Sequence, residues 1–215
     1  MIPLITDNLN YLSTNNTFCK YKINSLGNIT STNKVFKQLF NYSNEDVLNK
    51  YHGFLRHPKM PISIIEHISN RINDGKSCYA VIMNKTRNNK AFWTLSFFKP
   101  FAEDNNLQPS TLIIKTLLNK NEVGKLEKLY RILKTIEQHK GIEISDKYLK
   151  GFLEYKKMNC EEFVENCIKK SYKIFKKEID KLEEATSQID LINVNKKDLN
   201  IIHEFNSIIK QVDLL

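Results

Sequence analysis

Four neighbouring segments decide the fold class: SCYAVIM (77–83), NKTRNNK (84–90), AFWTLSFF (91–98) and TLIIKTLL (111–118). The first, third and fourth are rich in the β-branched and aromatic residues that favour strands. The second is polar and holds three asparagines, which is typical of a turn that joins two strands. The segments therefore predict three strands of an antiparallel sheet.

A hairpin and several short helices precede these strands. Residues 18–23 alternate apolar and polar side chains, and residues 28–30 begin a second short strand after a turn, which predicts a hairpin. Apolar residues at helical spacing predict helices over 33–40 and 62–72, and Ser43 has the character of a helix cap. Two strands, short helices and three further strands predict an α+β domain with one antiparallel sheet.

The chain becomes helical after residue 119. Apolar residues recur at helical spacing over 126–136, and Gly141 can end the helix that they predict. A second helix is predicted over 145–158, and Asn159 followed by Glu162 predicts the start of a third that continues to about residue 185. These patterns predict packed helices and carry no chemistry of their own.

Together these patterns divide the chain into three predicted parts. Residues 1–17 are polar in their second half and are expected to form a lead-in. Residues 18–118 form the predicted α+β domain, and residues 119–215 form an all-α extension that ends in an amphipathic segment over 199–212. The length of 215 residues agrees with one domain and a substantial appendage.

The composition is that of an ordinary soluble globular protein, with 41% hydrophobic and 27% charged residues. No apolar run approaches the roughly 20 residues needed to cross a bilayer. The first ten residues do not combine a basic segment with an apolar stretch, as a secretory signal does. We therefore expect a cytoplasmic protein.

The net charge of +9 comes from 33 basic and 24 acidic residues, yet only four of the basic residues are arginine. Recognition of phosphates and bases favours the bidentate arginine side chain, and nucleic-acid binders cluster their basic residues on one face. Here lysine and asparagine are abundant throughout the chain. We therefore expect no binding to nucleic acid.

The sequence contains no motif for metal binding or catalysis. Its four cysteines, Cys19, Cys78, Cys160 and Cys167, are too widely spaced for a disulfide framework or a zinc site. No paired acid and base and no activated nucleophile stands out. We expect a protein that is not an enzyme and holds no metal.

Three segments are more specific: NITSTNKVF (28–36), NYSNEDVL (41–48) and LRHPKMP (55–61), followed in order by Gly75, Asn84 and Phe92-Trp93. This order resembles the PAS domain of the aerotaxis and energy-taxis redox sensors, the Aer/CetB type, which hold FAD. The RHPxMP element is the discriminating piece, since the PAS fold at large does not require it. The resemblance covers roughly residues 19–118 and continues into 126–137 and 147–153, which are similar to the helical extension of the CetB-like members.

The resemblance implies a PAS fold, which is a five-stranded antiparallel sheet with flanking short helices, here followed by an all-α extension. It also implies a FAD site between the sheet and the helices, built by five residues: Arg56, His57, Asn33, Asn84 and Trp93. An arginine can bind a phosphate or a ring carbonyl, and an asparagine amide both donates and accepts hydrogen bonds. A tryptophan can pack under the ring.

Each of these residues also has a local structural interpretation. His57 before a proline can brace a loop, Trp93 can fill the core, and Arg56 can form a surface ion pair. Two positions depart from the family pattern, since Lys59 replaces an aspartate and Ser69 replaces a tryptophan. Asn89 stands where the family has a glycine, a change that asparagine tolerates in the left-handed region.

Two functions follow from the resemblance. The first is a cytoplasmic sensor of redox state or oxygen that binds FAD, forms a homodimer and signals through its helical tail to a chemoreceptor-type partner. Membrane contact would then come only through that partner. The second is a cofactor-free PAS module that docks a signalling protein, which the changes at Lys59 and Ser69 favour.

Overall fold

The structure is a computed structural model that describes residues 18–103 and 106–185. The predicted lead-in (1–17) and the predicted amphipathic segment (199–212) lie outside the described residues. The chain divides into two compact units, one ending at Tyr172 and one beginning at Lys173. In the second unit, residues 173–185 are described and are helical.

The first unit is built on one five-stranded antiparallel sheet. Its strands are β1 (Cys19–Ile23), β2 (Ile29–Thr32), β3 (Cys78–Lys85), β4 (Ala91–Glu103) and β5 (Asn106–Leu118). Their order across the sheet is β2-β1-β5-β4-β3, so that the first hairpin pairs with the last strand of the domain. The predicted sheet is confirmed.

Strands β4 and β5 are longer than the sequence pattern predicts. The ladder continues through Pro100, which pairs with Thr111, as far as the pair Glu103 and Asn106. The partner strand β3 begins at Cys78, opposite Phe98, so no described strand pairs with β4 on that side beyond this residue. Proline is tolerated at such an edge, where its missing N–H removes no ladder hydrogen bond.

Four short helical elements lie between β2 and β3: α1 (Lys34–Phe40), α2 (Asn44–Val47), a 3-10 turn (His52–Leu55) and α3 (Ile62–Asn73). The Asn33 side chain caps α1. Ser43 and Asp46 form a reciprocal capping box at the start of α2, in which each side chain accepts from the other's backbone N–H. Because these polar side chains satisfy the first N–H groups, the sequence starts helices at these two positions.

Three helices follow the sheet within the first unit: α4 (Gly124–Lys140), α5 (Ile142–Lys156) and α6 (Cys160–Cys167). Gly141 separates α4 from α5, and Asn159 caps α6 with Glu162, as the sequence predicts. The predicted continuous helix to residue 185 is interrupted at Ile168, whose backbone (φ −128°, ψ 39°) leaves the helical region. Helical structure resumes at residue 169.

Side chains alternate along each strand, so they are divided between two faces of the sheet, and both faces are covered. The inner face, which lies toward α3, carries Tyr21, Ile82, Asn84, Thr94, Ser96, Phe98 and Lys115. The outer face carries Tyr79, Val81, Trp93, Phe97 and Ile114, and helix α4 packs on it. There the Tyr130 hydroxyl donates to the Val81 carbonyl at 2.9 Å.

Candidate ligand-binding cavity

A cavity of about 360 Å³ lies between the inner face of the sheet and α3. Ligand sites in proteins commonly measure about 300 to 1,000 Å³, so the space suits a small organic molecule. Its walls are largely apolar and include Ile23, Leu55, Ile65, Ile68, Ile72, Ile82 and Phe98. Leu26 and Tyr51, which are exposed, mark its open side.

A chain of polar side chains crosses the inner face of the sheet. Asn84 Nδ2 donates to Thr94 Oγ1 at 2.9 Å, and the hydroxyls of Thr94 and Ser96 are 2.9 Å apart. Lys115 Nζ then donates to Ser96 Oγ at 3.0 Å. All four residues are buried, and the two at the ends of the chain, Asn84 and Lys115, line the cavity.

Lys115 is 2% exposed, and the rings of Tyr21 and Phe98 lie 6.0 and 5.7 Å from its ammonium group. Burial is the main reason that the pKa of Lys115 is lowered to about 7, with a further contribution from Arg56 and an opposing one from Cys19. Among the described residues that line the cavity, none is acidic. Lys115 is therefore a buried amine without a carboxylate partner.

His52 lies in the 3-10 turn and Arg56 is the residue that follows this turn. Both side chains line the same cavity. The Arg56 guanidinium makes no hydrogen bond or ion pair within residues 18–103 and 106–185, so its donors are available to a ligand. Burial, with smaller effects of Arg56 and Lys115, lowers the pKa of His52 to about 3. His52 is therefore neutral at physiological pH and presents one donor and one acceptor.

Asn84 meets Arg56 at the edge of the sheet, where the two residues form an isolated bridge. Its amide nitrogen donates to the carbonyl of Ile82 and to Thr94 Oγ1, each at 2.9 Å. Its Oδ1 accepts no hydrogen bond from the described part of the chain. The structure thus brings two of the five predicted site residues together at the cavity, with unused hydrogen-bonding groups on both.

Asn33 and His57 do not line the cavity. The Asn33 amide is engaged by the protein backbone, since Oδ1 accepts from the N–H groups of Phe36 (3.1 Å) and Lys20 (3.0 Å) and Nδ2 donates to the Phe18 carbonyl (2.8 Å). His57 Nδ1 accepts the backbone N–H of Lys59 at 3.2 Å. The backbone N–H of His57 donates to the Met83 carbonyl at 3.0 Å, so this residue attaches the loop to β3.

Trp93 lies on the outer face of the sheet, away from the cavity. Its ring is 5.9 Å from that of Tyr130 in α4. The neighbouring residues Phe92 and Thr94 point to the opposite face because β4 alternates. Trp93 therefore packs the sheet against the C-terminal helices, which is the core interpretation given above.

The structure also identifies site residues that sequence reasoning missed. Lys115 is one charged residue inside the apolar strand TLIIKTLL, which was a readable signal. Tyr21 and His52 gave no such signal. Of the two departures from the family pattern, Ser69 lines the cavity on α3, whereas the Lys59 side chain is exposed and the cavity does not include it.

Metal binding and thiol chemistry find no support in the described residues. Within residues 18–103 and 106–185, no group of three or more histidine, cysteine or acidic side chains could hold a metal ion. Burial raises the pKa of Cys19 and of Cys78 to about 12, which keeps both thiols protonated. No helix in this part of the chain combines the length and apolar character that a membrane span needs.

No protein-family model matches the sequence. The aerotaxis receptor of Escherichia coli (strain K12) is 23% identical over 125 residues, which are 58% of this chain and 24% of the receptor. The chain thus matches about a quarter of that relative's length.

Two solved LOV domains match the chain over about half of its length. The light-state LOV domain of the blue-light photoreceptor Aureochrome1 superposes with a TM-score of 0.47 and 17% identity, over 51% of this chain and 88% of that one. The LOV domain of the blue-light activated histidine kinase from Erythrobacter litoralis EL346 gives a TM-score of 0.44 and 17% identity, over 48% and 97% of the two chains.

The fold that the sequence motifs predict is confirmed by the five-stranded sheet in the order β2-β1-β5-β4-β3 and by the short helices between β2 and β3. The chain therefore has a PAS-type fold followed by helices, and it is similar in sequence to an aerotaxis receptor.

Proposed function

We propose that this chain is a cytoplasmic sensor of redox state or oxygen that holds FAD in the cavity and catalyses no reaction. The open space between sheet and α3, with Arg56, Asn84 and Lys115 set among apolar walls, is the observation that carries the proposal. A flavin site needs a flat apolar slot with a few polar groups for the ring edge and the phosphates. The lining residues have this composition.

The cavity residues would divide the binding between them. Isoleucines of α3 and β3 would contact the faces of the ring, and Asn84 Oδ1 would accept an N–H from its edge. The Arg56 guanidinium would form charge-assisted hydrogen bonds to a ring carbonyl or a phosphate. Bound FAD would supply a group that takes up and releases electrons, and the protein would supply the hydrogen bonds that respond.

A direct contact links the cavity helix to the C-terminal helices. The Glu137 carboxylate of α4 accepts the backbone N–H of Ser63 at 2.9 Å, in the first turn of α3. Ser145 of α5 lies 3.1 Å from the same serine, hydroxyl to hydroxyl. A shift of α3 would therefore alter contacts made by α4 and α5, and couplings of about 1–3 kcal/mol are typical of such links.

One face of α5 offers a surface for a partner. Ile144, Tyr148 and Tyr155 are exposed, Tyr155 to 81%, and their spacing places them on one side of the helix. Exposed aromatic residues of this kind are typical of interaction surfaces. The surface supports contact with a chemoreceptor-type signalling protein or with a second copy of the chain in a homodimer.

The proposal is tested by the ultraviolet–visible spectrum of the purified protein, before and after dithionite, with and without added FAD. We expect flavin absorbance that remains after gel filtration and bleaches on reduction. Ile68→Trp places a larger side chain in the cavity and should abolish FAD uptake. The matched control Ile132→Trp, on the exposed side of α4, should retain it. Protein that stays colourless with excess FAD would contradict the flavin proposal.

The second candidate is a cofactor-free PAS interaction module. Ser69, which lines the cavity where the family has a tryptophan, and the exposed face of α5 favour it. Such a module is expected to form the same dimer by light scattering whether or not FAD is present. A dimer that forms or dissociates on addition of FAD would exclude it.

A further inference from the structure

The cavity contains a cation that the protein itself leaves unpaired. Lys115 is 2% exposed and donates to Ser96 Oγ at 3.0 Å. An ammonium group has three N–H donors, and this is the one hydrogen bond that its amine makes within the described part of the chain. A buried charge is costly without an opposite charge beside it, so an anionic ligand placed beside Lys115 would stabilise the protonated form of its amine.

A second cation faces the same space. Arg56 lines the cavity and carries a cationic guanidinium group. His52 and Tyr21 also line it and are neutral near pH 7, because burial lowers the pKa of the histidine and raises that of the phenol. No aspartate or glutamate balances the two cations among the described lining residues. The two basic side chains therefore face a space enclosed by apolar walls, and the potential there is positive when the Lys115 amine is protonated.

We propose that Lys115 and Arg56 form an anion-binding subsite, and that the ligand of the cavity is an aromatic molecule with a negative charge placed against Lys115. The inference deepens the proposed function and rests on this cavity being the sensor's ligand site. The apolar walls select a flat ring, and the two cations select its charge. A neutral aromatic molecule of the same shape would leave the lysine unpaired and would bind less tightly.

A pair of fluorescent probes separates charge from shape. The anionic 8-anilinonaphthalene-1-sulfonate and the neutral N-phenyl-1-naphthylamine share the same rings and differ in the sulfonate. We expect the ligand-free protein to bind the anionic probe at least about tenfold more tightly, as a charge-assisted contact in a buried site allows. Ile68→Trp should remove the binding of both probes, which shows that they occupy the cavity.

The Lys115→Met variant provides the decisive comparison. It keeps most of the length of the side chain and removes its charge, so affinity for the anionic probe should fall about tenfold while the neutral probe binds as before or better. Lys37→Met, an exposed substitution on α1, is the matched control and should change neither affinity. Equal affinity of the wild type for the two probes, or a preference as large in Lys115→Met as in the wild type, would overturn the subsite.

A pH titration of the wild type and a separate measurement of FAD uptake complete the test. If Lys115→Met does not fold, titrating the wild type from about pH 6 to pH 10 serves instead, because the preference should decline as Lys115 loses its proton; a constant preference overturns the proposal. FAD uptake is scored separately. A preference for the anionic probe without FAD uptake contradicts the flavin proposal alone, and FAD uptake without that preference contradicts the subsite alone.

Discussion

The carboxylate of Glu137 accepts two hydrogen bonds from Ser63, from its backbone N–H at 2.9 Å and from its hydroxyl at 3.0 Å. Ser63 lies in the first turn of α3, whose N-cap residue is Pro61 and offers no side-chain acceptor. A residue of α4 therefore caps the helix that lines the cavity. Lys134 holds the second carboxylate oxygen at 3.1 Å, so the cap is fixed in position.

Removal of this cap should destabilise the protein. Glu137→Ala leaves the first N–H groups of α3 without an acceptor, and lost caps cost about 0.5–2 kcal/mol. The measurement is the free energy of unfolding in urea. Glu143→Ala is the matched control because its exposed ion pair with Lys147 contributes little. Equal stability of the two variants would show that Glu137 is not a functional cap.

The same contact predicts a dependence on acid. Burial acts to raise the pKa of Glu137, but its hydrogen bonds to the backbone of Ser63 and Ile62, to Lys134 and to the Ser63 hydroxyl outweigh it and lower the pKa. A carboxyl group with a lowered pKa stabilises the fold above its unfolded pKa and loses that effect as pH falls. Wild type should therefore lose more stability than Glu137→Ala between about pH 5 and pH 3 in urea titrations. Equal losses of stability in the wild type and in Glu137→Ala would contradict this role of Glu137.

Lys115 makes the opposite kind of prediction. The pKa of its amine is lowered to about 7 in the fold, so the unfolded chain binds more protons than the native one between that value and the ordinary lysine pKa. Stability of the ligand-free protein should therefore rise with pH over this interval, by an amount on the order of a few kcal/mol. Below about pH 7 both states are protonated and the dependence ends.

Between about pH 7 and pH 9, the titratable groups that face Lys115 keep their protonation states. The pKa of Cys19 is raised to about 12 and that of His52 is lowered to about 3, both mainly by burial. Burial also raises the pKa of Tyr21. In calorimetry at about pH 6, Lys115→Met should melt above the wild type, and the difference should shrink by about pH 9. If Lys115→Met instead melted below the wild type at about pH 6, the prediction would be refuted.

The positions of Arg56 and Trp93 lead to contrasting expectations for ligand binding. Trp93 packs on the outer face against Tyr130, so Trp93→Phe should reduce stability by about 1–2 kcal/mol and change ligand affinity less than twofold. Arg56→Met should do the reverse, with little loss of stability and an affinity for the anionic probe that falls severalfold. Titration of both variants with the anionic probe compares them, and a large loss in Trp93→Phe would place the tryptophan in the site.

The outcome for Trp93 shows what sequence reasoning could and could not reach. Alternation, turn residues and helix caps such as Asn33 and Ser43 are local, so the sheet and the short helices were predictable. Strand β4 is buried on both faces from Phe92 to Phe98, so burial alone does not say which face holds the cavity. Lys115 was visible as one charge in an apolar strand, but its contact with Ser96 depends on the register of β4 and β5.

The open side of the cavity depends on two glycines that flank one ring. A Cβ on Gly27 would lie 2.8 Å from the Tyr51 ring, and one on Gly53 would lie 2.3 Å from it. The ring therefore fits between the β1–β2 turn and the 3-10 turn because both positions lack a side chain. Tyr51 lines the cavity, so its position affects how a ligand enters and leaves.

Gly27→Ala and Gly75→Ala separate this contact from backbone strain. Both glycines have positive φ, +77° and +71°, but a Cβ on Gly75 would meet nothing within 4 Å. Each substitution should cost about 1 kcal/mol for the left-handed backbone. Gly27→Ala must also displace Tyr51, so it alone should raise the dissociation rate of the anionic probe in stopped-flow measurements. Identical dissociation rates in the two variants would mean that Tyr51 does not limit access to the cavity.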